Sequence, residues 1–152
     1  MNRIFSALFV AMMACTACLA QEDSAVFGLP TATETLVVRS TTDIGVFAPV
    51  MLDFLASRPN LAIAYEQWGS NDLATLAASH CAAGSGSADL VISSAVDLQV
   101  QLVNNGCAVA HRSPATDALP AARNWRNEIF GITEEPAVLI YNTQLVAPDE
   151  VP

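Results

Sequence analysis

From Thr35 onward the chain alternates short apolar runs with segments of helical period, and this alternation restricts the fold more than any other feature. "TLVVRS" (Thr35–Ser40) is rich in β-branched residues and stops at "TTD". "IGVFAPVMLDFLAS" carries Val46, Val50, Phe54 and Leu55 on one helical face and is closed by Arg58-Pro59-Asn60. "LAIAYEQW" places Leu61, Ile63 and Tyr65 on one side of a strand. Gly69-Ser70-Asn71-Asp72 opens a helix with Leu73, Leu76 and Ala77, which ends at "CAAGSGS". "ADLVISS" is continuously apolar, as a strand covered on both faces should be. Ala95, Leu98 and Leu102 mark the next helix, closed by Gly106. "CAVAHRS" reads as a short fourth strand, and "GITEEPAVLIYN" as a later apolar one. Strands and helices taking turns specify an α/β fold, a mostly parallel sheet flanked by helices with right-handed crossovers.

The segment ahead of this pattern has a different grammar. Met1-Asn2-Arg3 is followed by "IFSALFVAMMACTACLA", a basic start and an apolar core, with Cys18-Leu19-Ala20 supplying small residues before Gln21. That reads as a secretory signal over residues 1–20, cleaved near Ala20, which directs the chain out of the cytoplasm. The rival is a lipoprotein acylated at Cys15 or Cys18, although neither cysteine has leucine three residues before it. Residues 21–34 are small, polar and aperiodic and read as a mobile leader. Fifteen acidic residues face six arginines and no lysine, a net charge of -9. No basic patch exists to neutralise phosphates, which excludes nucleic acid and anionic membranes as partners. Cys81 and Cys107 remain after cleavage, and in an oxidising compartment a lone pair forms a disulfide. Zinc held by His80-Cys81 and Cys107-x-x-x-His111 is the weaker alternative, because no Cys-x-x-Cys clasp is present. His80 suits the C-terminus of its helix.

In a parallel sheet, ligands gather at the carboxyl ends of strands, where helix N-termini also lie. Three polar loops fall at that edge: Ser40-Thr41-Thr42-Asp43, Gly69-Ser70-Asn71 and Ser93-Ser94-Ala95. Each follows a strand and opens a helix. Their hydroxyls and amides, with the positive ends of helix dipoles, suit phosphate or carboxylate. The plainer account makes Asp43, Ser70 and Ser94 N-caps, each contributing about 1 kcal/mol. With Ser94 as the cap, the Ser93 hydroxyl stays available to a solute. Glu134-Glu135-Pro136 is either a solvated connection or a place for the cationic part of a ligand or a hinge. Trp68 and Trp125 read as packing anchors. No Gly-x-Ser-x-Gly elbow or nucleophile–base set is present, and Gly84-Ser85-Gly86-Ser87 precedes a strand where a phosphate loop would follow one, so the chain does not read as an enzyme.

"LVVRSTTD", "SADLVISSAVDLQVQLVNNGCA" and "LPAARNWRNEIFGITEEPAVLIYNTQLVAPDEVP" resemble, in order from Thr35 to Pro152, the periplasmic substrate-binding proteins of ABC importers. The group they are most similar to is the ferric-iron-type one, which includes phosphoglycerate-uptake regulatory proteins. The resemblance implies a two-lobed type II binding protein that traps its ligand between lobes. Residues 35–135 would form the first lobe. Residues 136–152 would be the crossover strand and the start of a second lobe, with Tyr141-Asn142 near the hinge. The three loops would line the cleft, with Glu134 and Tyr141 close by. The family continues through a whole second lobe, so this chain is expected to be a truncated form.

An ABC permease is the implied partner, and a monomer the implied state. No cofactor is expected; ferric iron enters only as a transported ligand. Iron wants anionic oxygens, yet these loops offer mostly hydroxyls and amides with Asp43 and Asp97 nearby, which suits an anionic or phosphorylated solute equally. A periplasmic sensor feeding a membrane kinase is the alternative role.

Overall fold

The computed structural model describes residues 19–134, 138, 140–147 and 149. Most of the expected signal segment lies outside them. Among the described residues no helix is long and apolar enough to cross a membrane. The chain divides into two compact units, one ending at Cys107 and the other beginning at Ala108.

The first unit is a mixed α/β layer with a central sheet flanked by helices. Strands β2 (Glu34–Ser40) and β3 (Leu61–Trp68) run parallel along their whole length, from Glu34 opposite Leu61 to Ser40 opposite Gln67. Strand β4 (Leu90–Ile92) adds parallel to the free edge of β2, and β1 (Gln21–Phe27) adds antiparallel to β3. The order is β1-β3-β2-β4. Helices α1 (Ile44–Ala56) and α2 (Ser70–Ala82) connect the parallel strands, and α3 (Val96–Asn104) follows β4.

Alternation along the strands gives the sheet two distinct faces. Val38, Ile63 and Tyr65 bury together with Met51 and Leu55, flanked by Phe27, Leu36, Ile44, Phe47, Leu61 and Ile92. Helix α1 therefore packs through Ile44, Phe47, Met51 and Leu55, a helical stripe. Of the face expected from sequence only Leu55 is buried; Val46, Val50 and Phe54 are exposed. A helix that is apolar nearly all round gives periodicity no contrast to work with. On the alternate residues, Arg39 Nε lies 2.7 Å from Glu66 Oε2, and its Nη1 donates to Ser87 Oγ at 2.7 Å. Trp68 Nε1 donates to the same Glu66 oxygen at 3.1 Å. Trp68 is thus the buried anchor expected of it.

Gln21–Phe27, read from sequence as mobile, is strand β1. Six of its residues pair with β3, from Gln21 opposite Trp68 to Phe27 opposite Ile63, with a bulge between Gln21 and Asp23 that leaves Glu22 unmatched. Backbone hydrogen bonding to an already formed strand overrides the polar composition. Phe27 adds an edge-on ring contact with Tyr65, centroids 6.5 Å apart. The strand ends at Gly28, where φ is +120° and a Cβ would stand 2.9 Å from Ala62 Cα and Leu61 O. Cys81 and Cys107 are joined by a disulfide with Cα atoms 5.4 Å apart, tying the end of α2 to the segment after α3.

The second unit holds α4 (Pro114–Asp117), capped reciprocally by Ser113 and Thr116, then a 3₁₀ turn at Ala121–Arg123. A tight hairpin follows, with β5 (Asn124–Trp125) antiparallel to β6 (Ile129–Phe130). Arg126 and Asn127 at its tip both take positive φ, as such turns require. Trp125 is half exposed, not the anchor that the sequence suggests. Residues 107–113, expected as a strand, have no strand structure, because no described neighbour offers them a ladder. In the segment expected as a later strand, residues 135–137 and 139 lie outside the described residues, and none of its described residues is in a strand.

Two stability effects follow. Reducing Cys81–Cys107, which closes a separation of 26 residues, should lower unfolding free energy by about 3–4 kcal/mol in denaturant titration. Gly28→Ala should cost about 2 kcal/mol or more, since both the left-handed backbone and the backbone of β3 oppose a Cβ; an unchanged denaturation midpoint would contradict this.

Candidate functional site

The carboxyl edge of the parallel strands is built on Tyr65, which is 1% exposed. Its ring stacks on Phe47 with centroids 6.1 Å apart, and its hydroxyl donates to the Thr42 carbonyl at 2.8 Å. Ser40 is fully buried beside it, and its Oγ accepts the Thr42 amide at 3.0 Å. These two bonds hold the β2–α1 loop by its backbone, with the Thr41 and Thr42 side chains half-buried and Asp43 exposed at the rim. Burial pushes the Tyr65 hydroxyl above its ordinary value of 10.0; a hydrogen bond with Ser40 opposes the rise and the Asp43 charge adds to it.

The structure joins this loop directly to the β4–α3 loop. Thr41 donates its amide to Ile92 O at 3.0 Å, and Thr41 Oγ1 accepts the Ser94 amide at 3.3 Å. Ser93 Oγ accepts the Ala95 amide at 3.2 Å. Ser94 is therefore not the N-cap that the sequence suggests. The N-cap of α3 is Ala95; the Ser93 hydroxyl is engaged with the backbone, while the exposed Ser94 hydroxyl makes no hydrogen bond among the described residues. A three-residue loop lets the helix begin one position later than the hydroxyl pattern suggests.

The other expected caps differ too. Asp43 occupies the N-cap of α1, but its carboxylate caps nothing; it accepts from Gln67 Nε2 at 2.9 Å. At α2 the N-cap is Gly69, so Ser70 is the first helical residue and its side chain is free of that duty. Ser70 is half-buried and Asn71 exposed beside it, and Thr75 Oγ1 donates to the Asn71 carbonyl at 2.8 Å. Helices α1, α2 and α3 all start without a side-chain bond from their own cap residue. Glu134 and Tyr141 belong to the second unit, where the Glu134 carboxylate pairs with Arg123 and Tyr141 is exposed. Gln67 and Glu22 are the residues that sequence reasoning missed.

Chemically the edge is a set of hydroxyls and amide donors with carboxylates at its margin. Arg39, one residue before Ser40, is held by Glu66 and Ser87 through its alternate side of the strand. His80 Nδ1 lies 3.2 Å from Ser85 Oγ, but in the last turn of the 13-residue α2, roughly 15 Å along the helix axis from the loops. Among the described residues no three His, Cys, Asp or Glu side chains gather as a metal-binding group.

Tyr65→Phe should cost about 1–2 kcal/mol by leaving the Thr42 carbonyl without its donor. Because the folded-state value of Tyr65 is raised, its contribution is present below about pH 10 and is lost as pH climbs through the folded value. Alkaline unfolding monitored by far-ultraviolet circular dichroism should accordingly start at higher pH in Tyr65→Phe, once corrected for the lower starting stability.

No protein-family model matches the chain, and no curated protein matches it. A solved structure does: the substrate binding protein of the ABC transporter from Agrobacterium tumefaciens is 32% identical and superposes with a TM-score of 0.67. The match covers 73% of this chain and 33% of that one, so the sequence spans about a third of the length of the protein it resembles. This chain is similar, in fold and in sequence, to part of an ABC-transporter substrate-binding protein.

Proposed function

We propose that the chain is the solute-binding component of an ABC-type importer, acting outside the cytoplasm and delivering a small solute to a membrane permease. The observation that carries this reading is the edge formed by the bonded loops of Thr41, Thr42 and Ser94, with Ser70 and Asn71 at the start of α2 after the neighbouring strand. Loops that follow three parallel strands gather hydroxyls at three helix N-termini, the place where an open α/β sheet binds its ligand. Similarity to a substrate-binding protein over most of the chain supports it. The Cys81–Cys107 bond suits an oxidising compartment, in keeping with export by the N-terminal signal.

The solute on this reading is rich in oxygen, either a phosphorylated or other anionic metabolite or ferric iron delivered as an oxygen-ligated complex. Hydroxyls and helix N-terminal amides recognise acceptor oxygens. Asp43 offers a carboxylate to a hard cation.

Titration calorimetry of the exported, oxidised chain with 3-phosphoglycerate and with ferric citrate tests the reading. Saturable binding of one is expected. Ser94→Ala should weaken it by about tenfold, the equivalent of one good hydrogen bond, without changing stability. Ser93→Ala should instead lower stability by about 1 kcal/mol through loss of the Ala95 amide contact. A folded chain that binds neither solute would refute the oxygen-rich assignment.

A further inference from the structure

At the end of β3 one side chain reaches three partners in two separate segments. Gln67 Oε1 accepts the Ile44 amide at 3.0 Å, while its Nε2 donates to Asp43 Oδ1 at 2.9 Å and to Glu22 Oε2 at 3.1 Å. A helix start needs acceptors for its first amides, and the usual one is the N-cap side chain. Here Asp43 sits at the N-cap but gives its oxygen to Gln67, and the acceptor comes from 23 residues further along the chain. The bulge in β1 supplies the third partner. By strict alternation Glu22 would share the side of Val26, opposite Phe27; the extra residue re-aims its carboxylate to Gln67 and over Gly69, whose ideal Cβ would stand 3.4 Å from Glu22 Oε1.

We propose that Gln67 is the positioning residue of the carboxyl edge: it fixes the entry to α1, and with it Thr41–Asp43, and it ties that segment to β1 through Glu22. That the segment so held touches solute rests on the function proposed above. A primary amide is the group that satisfies all three partners. Its oxygen takes the backbone N–H, and its two hydrogens serve one carboxylate each. The reverse orientation would set NH₂ against N–H and oxygen against two carboxylates, so the network itself fixes the amide. Glutamate would add a third negative group here, and methionine would leave all three partners unmet.

Amide hydrogen exchange of the full, unliganded chain by NMR tests this. In Gln67→Met the Ile44 amide should exchange at least tenfold faster than in wild type, with the amides of Val38 and Tyr65 in the sheet unchanged. Gln67→Glu should also speed Ile44, and the double substitution Gln67→Glu/Asp43→Asn, which restores one donor–acceptor pair with the polarity reversed, should bring it back to within about threefold of wild type. An unchanged Ile44 rate in Gln67→Met would overturn the proposal, as would equal acceleration across the sheet. Should Gln67→Met fail to fold, the other two variants decide: recovery in the double substitution supports the role and lack of recovery overturns it. These rates need no solute, so a chain that binds neither titrated compound bears on the proposed function and leaves this result standing.

Discussion

A buried hydroxyl left without a partner costs about 1–3 kcal/mol, and Tyr65 is both almost wholly buried and hydroxylated. The fold answers that cost by bringing the Thr42 carbonyl to it at 2.8 Å. The ring of the same residue meets Phe27 from β1 and Phe47 from α1. One side chain thus couples the antiparallel edge strand, the helix on the sheet and the loop that leads into that helix. The packing core and the candidate site are not separable here: the apolar part of Tyr65 makes the first, and its polar tip shapes the second.

The opposite face follows the same logic with charges. Arg39 and Glu66 are largely shielded from solvent and must stay paired, since losing either partner would leave the other unmatched at low dielectric. Ser87 and Trp68 complete the pair's hydrogen bonding and anchor the Gly84–Ser87 segment to the sheet. Arg39 is consequently spent on structure, although it stands next to the polar loop. On the proposed function, recognition at that loop would fall to hydroxyls and amides.

Much of this was legible in the residues. The runs at Thr35, Leu61 and Leu90 appear as parallel strands, the segments between them as helices, and Cys81 with Cys107 as a disulfide. Apolar periodicity and cysteine parity are local signals and survive folding unchanged. What stayed hidden depended on partners distant in sequence. "QEDSAVF" opens on four polar residues and has no apolar alternation to announce a strand; it becomes one because β3 offers an unpaired edge and Tyr65 a place for Phe27. Asp43 takes the N-cap of α1 as expected, but the side-chain acceptor for the first amide arrives from Gln67. The N-cap of α3 falls on Ala95 and not on Ser94, because a one-residue shift in the helix start is beyond what hydroxyl patterns resolve.

The strand order carries a kinetic consequence. In β1-β3-β2-β4 the pair β2 and β3 alone joins strands consecutive in sequence, linked by α1. Strand β1 is made first yet has no sheet to join until β3 exists, and β4 must close a span of 52 residues to reach β2. Loop-closure entropy then orders assembly from the centre outward, with β2–α1–β3 as the unit able to nucleate and both edges added later. During refolding, protection of backbone amides should therefore appear in β3 before β1, the reverse of their order of synthesis.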